Sequence, residues 1–222
     1  MSLDSLQKRI GYQFSSVALL NQALTHRSFA STNNERLEFL GDGALNFIIA
    51  HQLYMRFQKL PEGDLSRLRA QLVKESSLYE IAQTLQLGEF LKLGEGELKS
   101  AGWRRPSILA DTLEAIVGAV YIEGGHEAAE TLVLKLYEEK LATIDPKLIE
   151  KDAKSLLQEL LQSKKIELPD YQVVNIDGEA HAQTFQVSCN VAKLKIQTVG
   201  EGTSRRVAEQ HAAQLALEKI NQ

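Results

Sequence analysis

Three acids share one face of a stretch whose periodicity is helical. Residues 34–45 read Asn34-Glu35-Arg36-Leu37-Glu38-Phe39-Leu40-Gly41-Asp42-Gly43-Ala44-Leu45. At ~100° per residue, Glu35, Glu38 and Asp42 fall within about 60° of one another, and the same face continues into Leu45 and Ile49. A second stretch, residues 108–117, is apolar on nearly every side. Its only acids, Asp111 and Glu114, are three residues apart and so neighbours on one face. Two readings fit these acids. They are solvated helix faces and caps, or they are oxygen donors to a cation. Unpaired charges inside apolar helices are costly and like charges at close spacing repel, so something cationic should compensate them. Arg36 points away from the Glu38–Asp42 stripe. Oxygen-only donors from two packed helices suit Mg²⁺ or Mn²⁺. One or two such ions could run in-line phosphodiester hydrolysis, activating water and stabilising the leaving oxygen.

The elements that must position these acids are helices. Apolar residues recur at spacings of three and four through residues 17–24, 37–54, 65–87, 108–121 and 128–141. Short breakers separate them: Thr32-Asn33-Asn34, Leu60-Pro61-Glu62-Gly63, Gly94-Glu95-Gly96 and Gly124-Gly125. The pattern changes after Asp145-Pro146. A helical stretch over 152–163 precedes three alternating segments, 171–176, 184–189 and 194–199, with Gly200-Glu201-Gly202 closing the third. A last helix follows, capped by Thr203 or Ser204, with an apolar stripe through Ala208, Ala212, Leu215 and Leu217. The expected fold is an all-helical domain followed by a small α-β-β-β-α unit of α+β class. The expected boundaries are 1–146, a linker at 147–151, and 152–222.

Composition bounds the function. The chain has 222 residues with 44% hydrophobic and 24% charged, ordinary for a folded protein. The longest apolar runs, 44–50 and 115–122, fall far short of the ~20 residues a membrane span needs. Met1-Ser2-Leu3-Asp4 has neither a basic start nor an apolar signal core, so a cytoplasmic protein without membrane association is expected. The single cysteine, Cys189, excludes an intramolecular disulfide and a cysteine-based zinc cage. Lys plus Arg number 25 against 29 Asp plus Glu, a net charge of −4 that by itself opposes a polyanion partner.

The motifs nevertheless point to one. Asn34-Glu35-Arg36-Leu37-Glu38-Phe39-Leu40-Gly41-Asp42 resembles the signature helix of bacterial ribonuclease III. The resemblance extends to Leu24-Thr25-His26-Arg27-Ser28, to 62–70 beginning Glu62-Gly63-Asp64, and to 107–115 containing Asp111 and Glu114. It covers essentially the whole chain, in the order endonuclease domain then double-stranded-RNA-binding domain. It implies metal-binding carboxylates at Glu38, Asp42, Asp111 and Glu114, with Asp42 and Glu114 catalytic. Mg²⁺ is the implied cofactor, with Mn²⁺ able to substitute. Glu35 and Glu62 match acids at the edge of the cleavage centre, although Pro61-Glu62-Gly63 also reads as a plain turn. Phe39 matches a residue inserted into a socket on a second subunit, and would otherwise be a core aromatic. The family is a homodimer, in which two-fold-related sites each cut one strand. Its products carry 5′-phosphate and 3′-hydroxyl ends, and its substrates include ribosomal RNA precursors.

The C-terminal unit resembles the double-stranded-RNA-binding fold, which reads A-form shape across minor grooves and the intervening phosphates. The matched contacts are Gln158 and Gln162 on the first helix, His181 in the loop after the first strand, and Ser204, Arg205 and Arg206 at the last helix. There free backbone N–H groups also face phosphate. Glu209 stands where many relatives outside the family carry a third lysine, which predicts modest affinity for duplex. In the first domain Arg104 and Arg105 match loop residues that hold RNA over the catalytic valley, and Trp103 between them and Gly102 has no assigned role. Before position 152 the chain carries 17 basic and 20 acidic residues, and from there on 8 and 9, so neither part is basic overall. The net charge misleads because several acids belong to the metal site, where bound cations reverse the local sign. Two rivals are weighed: a catalytically silent double-stranded-RNA-binding protein, and a phosphohydrolase of small phosphate esters. The four carboxylates oppose the first and the RNA-binding module opposes the second.

Overall fold

The first two-thirds form eight α-helices among the described residues: α1 (Leu3–Ile10), α2 (Val17–Ala23), α3 (Glu35–Arg56), α4 (Glu62–Val73), α5 (Glu75–Thr84), α6 (Glu95–Lys99), α7 (Pro106–Leu136) and α8 (Glu138–Thr143), of which α1 and α6 lie outside the periodic runs. The computed structural model describes residues 2–145, 152–178 and 183–220. The chain divides into two compact units, residues 1–149 and 150–222.

α3 and α7 make the most extensive helix pair of the first unit. α7 buries Leu109, Leu113, Ile116, Val117 and Val120 on several sides, as a helix wrapped by others must. α3 buries Leu37, Gly41, Leu45, Ile48, Ile49 and Leu53, the three-and-four spacing of a single face. The two helices meet at glycines. A Cβ on Gly41 would stand 1.8 Å from the Glu114 carbonyl oxygen, and one on Gly118 would stand 2.2 Å from that of Leu37. Only hydrogen fits at either place, so the backbones nearly touch. Leucine and isoleucine side chains of α1, α2, α4 and α5 close the core around this crossing. Tyr137 is buried among them and donates its hydroxyl proton to the Leu72 carbonyl at 3.2 Å.

Three local expectations change. The run at 65–87 is two helices, because Lys74 is extended (φ −66°, ψ 153°) between α4 and α5. Both helices pack on one core, so the apolar spacing continues across the bend. Pro61-Glu62-Gly63 is not a turn: Pro61 caps α4 and Glu62 opens it. Likewise Gly94 caps the short α6. The Gly124-Gly125 break is present as a bend inside α7, where Gly125 takes φ 75° and ψ −170°, a conformation open to glycine.

The second unit runs α9 (Ala153–Ser163), β1 (Asp170–Asp177), β2 (Thr184–Val191), β3 (Ile196–Gly202) and α10 (Arg205–Ile220). The strands form one antiparallel sheet in the order β1-β2-β3, with an irregularity between Val173 and Asn175. Asp152 caps α9 by accepting from the Ser155 amide at 3.0 Å, and Ser204 Oγ accepts from the Val207 amide at 3.3 Å. Leu157, Leu161, Cys189 and Val191 pack against Ala212, Ala213 and Ala216. The third strand is shifted from 194–199: Leu194 lies in a 3-10 turn and β3 takes in Gly200 and Gly202. A Cβ on Gly200 would meet the Ala212 nitrogen at 2.2 Å, and one on Gly202 the Ala208 nitrogen at 2.6 Å. These glycines admit α10 to the sheet. For the same reason the buried stripe of α10 is Ala208, Ala212, Ala213 and Ala216, while Leu215 and Leu217 are only half-buried. Among the described residues no helix is long and apolar enough to cross a membrane.

Candidate active site and nucleic-acid interface

The α3–α7 crossing brings acids from both helices together. Carboxylate oxygens of Glu38, Asp111 and Glu114 lie within 4.8 Å of one another, all three side chains half-buried. Burial raises all three carboxyls above their ordinary values, and neighbouring acids add to it. Burial pushes Glu114 up to about 8, helped by the charges of Asp42, Asp111 and Glu38. Burial also raises Glu38, with Asp111, Glu35 and Asp42 adding to it and Arg27 opposing. Asp111 is raised by burial and by Glu75, against His26 and Arg27. Three converging carboxyl groups offer oxygen donors at one point, the donor type a hard divalent cation takes.

Asp42 stands outside this group. It is exposed, and its Oδ1 accepts from Asn46 Nδ2 at 2.7 Å one turn further along α3. The structure therefore joins three of the four expected carboxylates, and a local hydrogen bond draws the fourth aside. Glu35 is also exposed and is held by Arg27 Nη1 at 3.3 Å. Glu62 lies apart from the acids on α4, where Ser66 Oγ donates to it at 2.7 Å. It lines a separate cleft with Phe47, Tyr54, Leu65 and Arg69.

Arg27 and His26 are the basic residues that sequence reasoning did not place at the site. With Arg105 they line the cleft that contains Glu38 and Asp111. The segment is fixed by the parallel bridge of Thr25 to Lys92 and by the Gly94 amide donating to Ser28 Oγ at 2.9 Å. The one signal for Arg27 and His26 is the matched block Leu24-Thr25-His26-Arg27-Ser28, and nothing in one dimension places that block beside the acids. The two loop arginines diverge. Arg105 pairs with Glu97 at 3.0 Å beside the acidic cleft. Arg104 stacks 4.1 Å over the Trp103 ring and lines a different cleft, with Gly88 and Gln86. Trp103 thus packs on the protein, its carbonyl so close to Gly88 that a Cβ there would come within 2.4 Å.

Phe39 is not a core aromatic: it is 83% exposed, and Phe47 and Tyr54 are exposed on the same helix. Seven and eight residues separate these three, which puts them along one stripe.

In the second unit Gln158 and Gln162 are exposed, one turn apart on α9 and to the side of the buried Leu157 and Leu161. Ser204 caps α10, and Arg205 and Arg206 are exposed in its first turn. His181 lies outside the described residues. Glu209 is buried and pairs with both Arg205 and Lys154.

Comparison with known proteins agrees on both units. A family profile described as Ribonuclease-III-like matches residues 16–141, and one described as Double-stranded RNA binding motif matches residues 153–220. Over 220 residues the chain is 60% identical to Ribonuclease 3 of Cupriavidus pinatubonensis, covering 99% of this chain and 86% of the relative. Ribonuclease 3 of Ralstonia pickettii is 61% identical over 221 residues, 100% of this chain and 86% of the relative. Among solved structures, the nuclease domain of ribonuclease III from Campylobacter jejuni is 46% identical, with a TM-score of 0.62 over 65% of this chain and 99% of that one. A second structure of that domain, described for flexibility in a region involved in dimer formation, is 47% identical, with a TM-score of 0.61 over 62% and 97%.

Proposed function

The chain belongs to the ribonuclease III family of double-strand-specific endoribonucleases, and from that premise we propose that it hydrolyses phosphodiester bonds of duplex RNA to 5′-phosphate and 3′-hydroxyl ends. Its substrates are duplex segments of cytoplasmic structured transcripts, ribosomal RNA precursors among them. The observation that carries the reading is the meeting of Glu38, Asp111 and Glu114 at the helix crossing of a chain that also carries a double-stranded-RNA-binding fold.

Glu38, Asp111 and Glu114 would hold Mg²⁺, or Mn²⁺ in its place. Asp42 joins them by turning its carboxylate from Asn46, a side-chain rotation one turn from Glu38. When bound, the cation supplies a water nucleophile at neutral pH and stabilises the developing charge on the leaving oxygen. The protein's own part is positional. The rigid α3–α7 crossing holds the acids. Arg105 and Arg27, with Glu35 at the rim, border the path of the strand beside them. Arg104, Gln158, Gln162, His181, Ser204, Arg205 and Arg206 hold the duplex through sugar and phosphate, and Glu62 contributes at the edge of a partner's cleft.

The exposed Phe39–Phe47–Tyr54 stripe is the surface of a homodimer, with Phe39 as its anchor. Phe39→Ala is expected to weaken dimerisation by at least about thirtyfold, as removal of a central aromatic does. Sedimentation equilibrium reads it directly, and an unchanged dimer constant rejects Phe39 as the anchor.

The function is tested with an end-labelled RNA duplex and its separated strands, in Mg²⁺ and in Mn²⁺. Cleavage of the duplex alone is expected, with products that accept a new 5′ label only after phosphatase treatment. A protein that binds the duplex and never cuts it under either ion overturns the nuclease assignment.

A further inference from the structure

The sequence pattern offers Glu209 as a lost cation, one turn into α10. The structure gives it a different setting. Glu209 is only 9% exposed, and two cations reach its carboxylate: Lys154 Nζ from α9 at 2.5 Å and Arg205 Nε at 2.8 Å. Burial by itself would raise this acid, but the hydrogen bonds from Lys154 and Arg205 outweigh it and hold the carboxyl below its ordinary value. Glu209 therefore carries its charge at neutral pH, and with two cations on one acid the group as a whole stays positive.

The way Arg205 is attached matters. Its bond to Glu209 uses Nε, the nitrogen nearest the aliphatic stem, and the side chain remains 63% exposed. The two terminal nitrogens make no hydrogen bond among the described residues. They form the planar fork that pairs with phosphate oxygens two at a time. Glu209 is itself fixed on both sides. The Lys154 ammonium lies 4.6 Å over the Tyr171 ring, the Lys154 amide donates to Gln210 Oε1 at 3.1 Å, and Gln210 Nε2 donates to Asp152 Oδ1 at 2.8 Å. These bonds tie the start of α9 to the first turns of α10.

We propose that Glu209 is a positioning residue for duplex RNA: it grips Arg205 by its inner nitrogen and presents the guanidinium fork, already ordered, to a backbone phosphate. This rests on reading Arg205 as an RNA contact. An unrestrained arginine at a helix start would sample many rotamers and face away from the positive end of the helix dipole. Ordering it before binding removes a conformational cost worth about three- to tenfold in affinity per side chain.

The test uses the full chain, a fluorescent RNA duplex and chelator to prevent cleavage, with anisotropy read across a salt series. Glu209→Ala is expected to weaken binding by about three- to tenfold. Glu209→Gln keeps an acceptor for Nε and should recover part of that loss. Arg205→Ala should weaken binding and lower the salt slope by about 0.9, the value for one phosphate contact on duplex DNA. Glu209→Ala should keep the slope, because Arg205 still reaches the phosphate from a looser ensemble. In the double variant the losses should not multiply, because Glu209 acts through Arg205. Thermal unfolding of each variant fixes the temperature so that every measurement is made on folded protein. Equal or tighter binding by Glu209→Ala, or multiplying losses in the double variant, overturns the proposal. An Arg205→Ala variant that binds as the unmutated chain does overturns it too, while an unmutated chain that binds no duplex overturns the functional reading itself.

Discussion

Glu114→Gln is expected to slow cleavage steeply and, in the absence of divalent ions, to make the nuclease unit more stable. The two effects have one cause. Glu114 is pushed up to about 8 by burial and by the charges of Asp42, Asp111 and Glu38, so the folded protein resists ionising it. An acid whose folded-state pKa lies above its unfolded value stabilises the fold at low pH, and that contribution is lost as pH rises through the folded value. The metal-free protein should therefore melt at progressively lower temperature between pH 5 and pH 8.5, and Mg²⁺ should restore most at the alkaline end. Glutamine keeps the shape and removes the charge, so the variant should show a flatter pH profile and a higher melting temperature at pH 8. Its cleavage rate should fall by roughly a thousandfold, the rate equivalent of the several kcal/mol a correctly held cation contributes. Scanning calorimetry with and without Mg²⁺ reads the stability, and a duplex cleavage assay reads the rate. A variant that melts below the unmutated protein at pH 8 without metal would contradict the electrostatic account. Surviving cleavage would remove Glu114 from the site.

Much of this was legible in one dimension because it follows from periodicity. The helical spacing of α3 and α7 placed Glu38, Asp111 and Glu114 on faces that could meet. The cap of α10 was legible as Thr203 or Ser204, of which Ser204 accepts from the Val207 amide. What escaped depends on three-dimensional neighbours. Arg27 approaches the acids only because residues 25–28 are pinned to residues 92–94. Asp42 shares the Glu38 stripe by angle, yet a side-chain bond to Asn46 draws its carboxylate aside, and helical phase is blind to rotamers. Glu209 read as a missing positive charge, and only its burial between Lys154 and Arg205 gives it another meaning. Gly200 and Gly202 looked like the end of a strand, since a glycine that admits a helix and a glycine that makes a turn are the same letter.

The largest structural effect is expected from two residues that neither titrate nor touch RNA. Gly41→Ala would place a methyl group 1.8 Å from the Glu114 carbonyl oxygen, and Gly118→Ala would place one 2.2 Å from that of Leu37. Neither contact can be relieved by rotating a side chain, because both partners are backbone. α3 and α7 must part, by more than an ångström at Gly41. Each substitution should cost about 3 kcal/mol, the upper end for overpacking a core, and lower the melting temperature by roughly 6–12 °C. The same movement separates Glu38 from Asp111 and Glu114, and a displacement of about 1 Å is enough to lower a rate by about a hundredfold. Gly96→Ala is the control, since a Cβ there meets nothing within 4 Å on the exposed α6, and it should leave both readings near those of the unmutated chain. If Gly41→Ala melts within a degree of the unmutated protein and cuts at full rate, the close crossing does not hold the site together. Set beside Glu114→Gln, the glycine variants separate charge from geometry. Removing the charge should lose activity and gain stability, whereas parting the helices should lose both.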